Sequence, residues 1–289
     1  MNQPQMARLA APHPGIEQRF PDQFRPDWRQ RRLVLGTLAA MTGVFVLGLV
    51  QLEIPFSRFI SGTAQLGEFV RLMLPPDPGS WDQVALYAKA LGETLSIALI
   101  GTLGGAILAF PMALLAARNV VANRIVHFLA RRSLDTVRGV DILIWALIWV
   151  SVVGLGPFAG ILALICTDFG SFGKLFSEAI EAADKRPVEG VVSTGGTHAH
   201  AVRFGLLPQV IPILASQVLY YFESNTRSAT IIGIVGAGGI GAQLSEQIRI
   251  LEWQKVAFII LMILVTVAVI DFVSSRLRFA VIGRRSMPH

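Results

Sequence analysis

Ile142–Thr167, ILIWALIWVSVVGLGPFAGILALICT, carries no charged residue over its whole length. About 20 apolar residues cross a bilayer, so the run is long for one span and short for two. Gly154-Leu155-Gly156-Pro157 divides it, and a proline behind two glycines is a strong turn signal. The stretch reads as a tight hairpin. One helix runs from near Asp135 to near Val153; the next starts at Pro157 and continues past Asp168. Proline is tolerated in a helix's first turn because the N–H it lacks has no partner there.

Other uncharged runs lie on either side. Leu33–Leu52 reads as a first span rather than a cleaved leader, since more than thirty residues precede it and the following Gln51-Leu52-Glu53-Ile54-Pro55 is bulky. Thr94–Ala117 is a second span, whose Gly101, Gly104 and Gly105 suit close packing between membrane helices. Phe204–Phe222, with Pro208 near its start, is the fifth, and Val256–Ile270, extended to Ser275, the sixth. Ser228–Ser245 is uncharged but glycine-rich and only moderately apolar, so it reads as re-entrant or packed inside the bundle. Of 289 residues 53% are hydrophobic and 15% charged, against roughly 25% charged in soluble domains. The fold class is an all-α integral membrane protein of six transmembrane helices.

Lys and Arg give the sidedness. The tail 1–32 has six (Arg8, Arg19, Arg25, Arg29, Arg31, Arg32), 118–138 five (Arg118, Arg124, Arg131, Arg132, Arg138), 171–206 four (Lys174, Lys185, Arg186, Arg203) and 276–289 four (Arg276, Arg278, Arg284, Arg285). The alternate segments 53–93 and 222–255 have three each. This split places both termini, 118–138 and 171–206 in the cytoplasm. It depends on the hairpin: a single span over 142–167 would put 171–206 outside. The net charge of +6 sits at span ends, so topology explains it without nucleic acid. The one cysteine, Cys166, lies in an apolar run and can form no internal disulfide or cysteine metal cluster.

Segment 171–206 is too polar to span. Ser177–Ala183 is good helix-forming sequence that Pro187 is expected to stop. A second short helix is expected near Glu189, whose carboxylate favours the positive end of the helix dipole. Gly195-Gly196 breaks the chain and Thr197 can cap the next turn. The result is a helix–turn–helix elbow running directly into Pro208 and the fifth span, shaped to be pushed and to pass the push on.

At these residues the chain resembles a known family. Importer permeases of the ATP-binding-cassette class carry Glu-Ala-Ala, three residues, Gly, nine residues, Ile, one residue, Leu-Pro. Here Glu189, Gly195 and Leu207-Pro208 are in register; Gly190, Val191 and Gly205 replace the two alanines and the isoleucine. Pro187–Gly190, Gly205–Val210, Phe222–Thr230, Val153–Gly160 and Gly236–Gly241 further resemble phosphonate-importer permeases, in order over roughly residues 90–280. The resemblance implies a type I importer core of five helices plus one N-terminal span, in a bacterial inner membrane. It also implies a permease homodimer, two cytoplasmic ATP-binding subunits and a periplasmic phosphonate-binding protein. ATP is then used by the partner alone, and no G-x-x-x-x-G-K-[ST] occurs in this chain. The expected organisation is a tail 1–32, a first span 33–52, a periplasmic loop 53–89, a transmembrane domain 90–279 containing the elbow 171–206, and a tail 280–289. The ATPase-coupling residues are Glu189, Gly195, Leu207 and Pro208.

The expected substrate is a phosphonate anion, with phosphite, phosphate or another small solute on the same machinery as the alternative. Glu223, Asn225, Arg227, Ser228, Thr230, Gly236, Gly238, Gly239 and Gly241 form the expected substrate path. Glu223 and Arg227 are four apart on a helix, which suits a local ion pair; equally, Arg227 can face an anion. Asp271 is expected to pair with Arg276 or Arg278. Gly236–Gly241 satisfies G-x-G-x-x-G, but a dinucleotide site needs strand, turn and helix in an alternating chain, so a turn where helices approach closely is the better reading. His198-Ala199-His200 lacks a third metal ligand, and no paired nucleophile and base marks a membrane enzyme. A secondary transporter would need mid-span charges and internal repeats; such charges are nearly lacking and no repeat is seen.

Overall fold

A computed structural model describes residues 28–52, 56–121 and 123–282; the readings on 1–27 and 283–289 lie outside them. Among the described residues there is no strand. The chain divides into two units, up to Glu68 and from Phe69 onward. In the first, α1 (Trp28–Gln51) turns nearly all its described side chains outward, as an apolar helix in lipid does. The stretch 53–89, expected as a loop, is instead largely helical: it holds α2 (Phe56–Leu72) and the start of α3. Arg58, Glu68 and Arg71 make α2 polar enough to read as a loop, yet Phe59, Leu66, Phe69 and Val70 recur at helical spacing.

In the second unit, α3 (Trp81–Ala116) starts thirteen residues before the expected Thr94, because Ser80 and Gln83 close a capping box there. Next come α4 (Arg124–Arg138) and α5 (Ile142–Val153), bent by 84° relative to one another. The expected single helix from Asp135 to Val153 is therefore broken: Gly139 closes α4, and Asp141 caps α5, its Oδ1 accepting the Leu143 N–H at 2.8 Å. The 12 residues of α5 reach only about 18 Å, short of the ~30 Å core of a bilayer. Among the described residues five helices are long and apolar enough to cross alone, and six spans result if the bent pair counts as one.

The hairpin turn forms as read, with Gly154 at φ +91° and Gly156 at φ +137°, and α6 (Pro157–Glu181) begins at the proline. It does not stop where the elbow was expected to start; residues 171–181 continue it, so Ser177–Glu181 is its end rather than a separate helix. α7 (Lys185–Ser193) starts before Pro187, capped by Asp184. Pro187 stops nothing, because it sits in the first turn, where a missing N–H costs no bond. A short α8 (His198–His200) and a π-helical turn (Ala201–Leu206) lead into α9 (Leu207–Ile234), followed by α10 (Ile240–Arg249) and α11 (Trp253–Ile282). The expected end of the fifth span at Phe222 falls mid-helix, and α9 absorbs the first part of Ser228–Ser245.

α6 is the central element, packed by α3, α4, α5 and α9; α11 packs on α9 and α10. Lipid is as apolar as leucine, so close packing must hold the helices together. Gly101 lies against Leu164, Gly104 against Ile165 and Gly105 against Asp168, leaving no room for a Cβ. Further along, Ala106, Ala109 and Ala113 of α3 face Phe172 and Phe176 of α6, small residues against large ones.

Candidate functional site

The elbow is built on the ends of three membrane helices. Beyond α3, Asn119 Nδ2 donates to the Ile180 carbonyl (2.7 Å) and the Arg118 N–H to Glu181 Oε1 (2.9 Å). The base of α7 rests on the π-helical turn: Gly205 approaches the Val188 and Pro187 backbone so closely that no Cβ fits. Gln209 Nε2 donates to the carbonyls of Gly205 (2.6 Å) and Asp184 (3.2 Å). Pro208, second in α9, has no N–H to donate, and the ladder widens ahead of it, the Leu207 N–H reaching the Val202 carbonyl five residues back. By contrast α7 itself buries no side chain. Glu189 is exposed and Gly195, at φ +83°, has open space around it. Thr197 caps α8, as expected. His198 and His200 are used locally, at 3.0 Å from the Val120 carbonyl and the Thr197 hydroxyl respectively.

Along α9, the bundle interior is polar. Asn225 Nδ2 donates to Thr102 Oγ1 of α3 (2.8 Å) and to Asp168 Oδ2 of α6. All three are buried, Asp168 at 1% exposure. No basic side chain pairs with Asp168 among the described residues, so an amide and a hydroxyl hold three helices together around a carboxylate. Two residues before Asn225, Glu223 is clasped by two arginines: Arg278 Nη1 of α11 at 3.0 Å on Oε2 and Arg227 Nη1 at 3.5 Å on Oε1. Arg227 keeps 47% of its side chain exposed while Glu223 keeps 9%. Both readings of Arg227 therefore survive: it is loosely paired and also open to an anion. The expected pairing of Asp271 fails, because Arg278 is on Glu223 and Arg276 lies over the Phe272 ring. Ser228 and Thr230 bond carbonyls of their own helix.

At the far end of α9 two turns meet. The Gly156 N–H donates to the Gly236 carbonyl (2.9 Å), and Gly160 and Gly238 pack against Ala237 and Pro157. Gly236, Gly238 and Gly239 all have φ between +72° and +99°, where side chains are disfavoured. Gly241 lies against the Thr230 carbonyl and Gly233, so α9 and α10 touch backbone to backbone. The Gly239 and Ile240 N–H groups are taken by Glu93 Oε1 and Thr94 Oγ1, each at 2.8 Å, and the Gly239 donor is not free for an anion. A cleft of about 600 Å³ beside this turn is lined by Leu155, Gly236, Ser245, Glu246 and Arg249, among others.

The structure brings the expected path residues onto α9, the turn after it and, for Gly241, the start of α10, with Glu223, Asn225 and Arg227 inside the span. Sequence reading missed their partners: Glu93, Thr94, Thr102, Asp168 and Arg278. Asp168 carried a usable signal, an acidic residue closing an uncharged run. Thr102, a lone hydroxyl among apolar residues, carried none.

A family model described as "Binding-protein-dependent transport system inner membrane component" matches residues 109–284. The chain is 37% identical over 270 residues to HtxC of Stutzerimonas stutzeri, named for phosphite transport, covering 93% of this chain and 95% of the relative. It is 50% identical over 117 residues to PhnE2 of Escherichia coli K12, named for cryptic phosphonate transport, covering 40% and 96%. Among solved structures, the inward-facing MetNI methionine ABC transporter matches at TM-score 0.62 and 20% identity, over 70% of this chain and 99% of that one.

Proposed function

The chain belongs to the family of binding-protein-dependent inner membrane transport components, with the fold of type I ABC importer permeases, and from that premise we propose that it carries phosphonate anions inward. Phosphite or phosphate is the alternative cargo. The observation that carries the mechanism is the continuity of the elbow with α9: α7 rests on Gly205, and the same helix bears Asn225 and Arg227. A push on α7 has one rigid route to the polar interior. In this reading two ATP-binding subunits grip Glu189 and Gly195 of a permease homodimer, a periplasmic protein delivers the anion, and this chain holds no nucleotide itself. An anion entering an apolar bundle is costly without compensation, and the half-exposed guanidinium of Arg227 supplies planar donors for phosphonate oxygens.

The test is uptake of radiolabelled methylphosphonate into vesicles holding permease, ATPase subunits and binding protein, with phosphite and phosphate as competitors. Uptake should require ATP, and Arg227→Gln should lower it about tenfold or more while the ATPase still co-purifies. Uptake driven by an ion gradient without the ATPase defeats the reading; uptake unchanged in Arg227→Gln removes Arg227 from the path. The same reading puts both termini in the cytoplasm. An impermeant thiol reagent should then label a cysteine at Pro76 but not one at Ser193 in a Cys166→Ser background; the opposite pattern sinks that topology.

A further inference from the structure

Between the end of α3 and the start of α4 lies a cavity of about 530 Å³ lined by Arg118, Val121, Arg124, His127 and Phe128. Among the described residues no carboxylate lines it. The next two arginines along α4 are already paired, Arg131 with Glu178 and Glu181 and Arg132 with Asp135. Glu181, which reaches the Arg118 backbone N–H, is thus shared with Arg131. Among the described residues the Arg118 guanidinium meets His127 Nε2 at 3.3 Å and no carboxylate, and Arg124 pairs with nothing. Among the described residues neither of the groove's two arginines has a counter-charge.

Its depth and its apolar rim narrow what can fill it. Thr94–Ala117 is uncharged and Arg118 is the first charged residue beyond it, so the groove sits at the level of lipid headgroups. Ile125, Phe128 and Leu129 of α4 are large, apolar and exposed beside it, the pattern of a helix that lies in a membrane interface. We propose that this groove is a binding site for the phosphate headgroup of an anionic phospholipid, with Arg118 and Arg124 on the phosphate oxygens and the apolar face of α4 against the acyl chains. Guanidinium forks match phosphate oxygens, and basic pockets at span ends are where anionic headgroups collect. The site is separate from α7 and from the polar interior, and does not depend on what the chain transports.

The assembled transporter, purified in detergent, is titrated with phosphatidylglycerol and, separately, with phosphatidylcholine, and retained lipid is counted by native mass spectrometry. Phosphatidylglycerol should be retained in preference, and Arg118→Gln with Arg124→Gln should cut that preference about tenfold. Arg124→Gln alone, at an exposed position with no partner to lose, should lower it in part without touching assembly, and Arg124→Lys should restore most of it. Equal retention of the two lipids, or a preference unchanged in either Gln variant, overturns the site. Displacement of the bound lipid by excess inorganic phosphate would make a free anion the ligand and overturn the lipid assignment.

Discussion

The two ends of α9 both turn on glycine, and they use it in opposite ways. At the elbow, Gly190 and Gly195 have no atom within 4 Å of the place a Cβ would take. At the far end, Gly233, Gly238 and Gly241 face backbone atoms at distances no side chain tolerates. Gly195 is glycine for its backbone angle, +83°, while Gly241 is glycine for contact. The elbow is open around Gly190 and Gly195, although Gly205 beneath them packs on Pro187 and Val188; the far turn is closed by those contacts and tied further by Glu93, Thr94 and the Gly156 N–H. The difference teaches that, in the proposed mechanism, α9 works as a lever whose handle is the open elbow and whose pivot is the closed turn.

The hardest way to break this contrast is at the pivot. Gly241→Val must push a side chain into the Thr230 carbonyl. Overpacking of this kind costs about 3 kcal/mol, and here the obstacle is backbone that cannot rotate aside. The expected outcome is loss of the monodisperse peak in detergent chromatography, with little inserted protein recovered. A Gly241→Val permease that stays folded would mean the two helices separate freely, and the pivot would be no pivot.

The polar station between the two ends gives the next largest effect. Asn225→Leu removes the donor that serves Asp168 and Thr102 at once. An orphaned buried polar group costs about 1–3 kcal/mol, whereas replacing both partners by apolar groups can be nearly neutral. Asn225→Leu alone should therefore lower the melting temperature, and Asn225→Leu with Asp168→Leu should recover much of it. If the double variant regains stability but not uptake, the network serves transport; if it regains both, the triad is only packing.

Much of this was legible in the sequence. The hairpin at Gly154–Pro157 was, because a proline after two glycines admits few structures. So was the elbow's continuity with a span, because Leu207-Pro208 follows it at once. The bend between α4 and α5 was missed although Gly139 and Asp141 announce it as cap residues; the uncharged run after them drew the helix through. The end of α9 was placed too early because Glu223, Asn225 and Arg227 look like an exit from the membrane. They stay inside because Arg278, Thr102 and Asp168 answer them, and partners 55, 123 and 57 residues away leave no trace in local pattern.

The smallest expected effects on stability lie at the elbow, and there they separate folding from function. Gly195→Ala asks an alanine to hold φ near +83°, which costs about 1–2 kcal/mol, in open space that adds no clash. Gly190 sits within α7 in an ordinary helical conformation, so leucine there should stabilise the helix by up to about 1 kcal/mol. Measured on the permease alone, Gly190→Leu should raise the melting temperature slightly or leave it unchanged. Nothing in this chain then needs a glycine at 190, and the reason must lie in what docks on α7. The expected outcome in the assembled transporter is therefore a sharp loss of co-purified ATPase and of uptake from a variant that folds at least as well as the parent. Normal ATPase binding by Gly190→Leu would show that the partner does not approach α7 closely, and the elbow would be open for some other reason than being held.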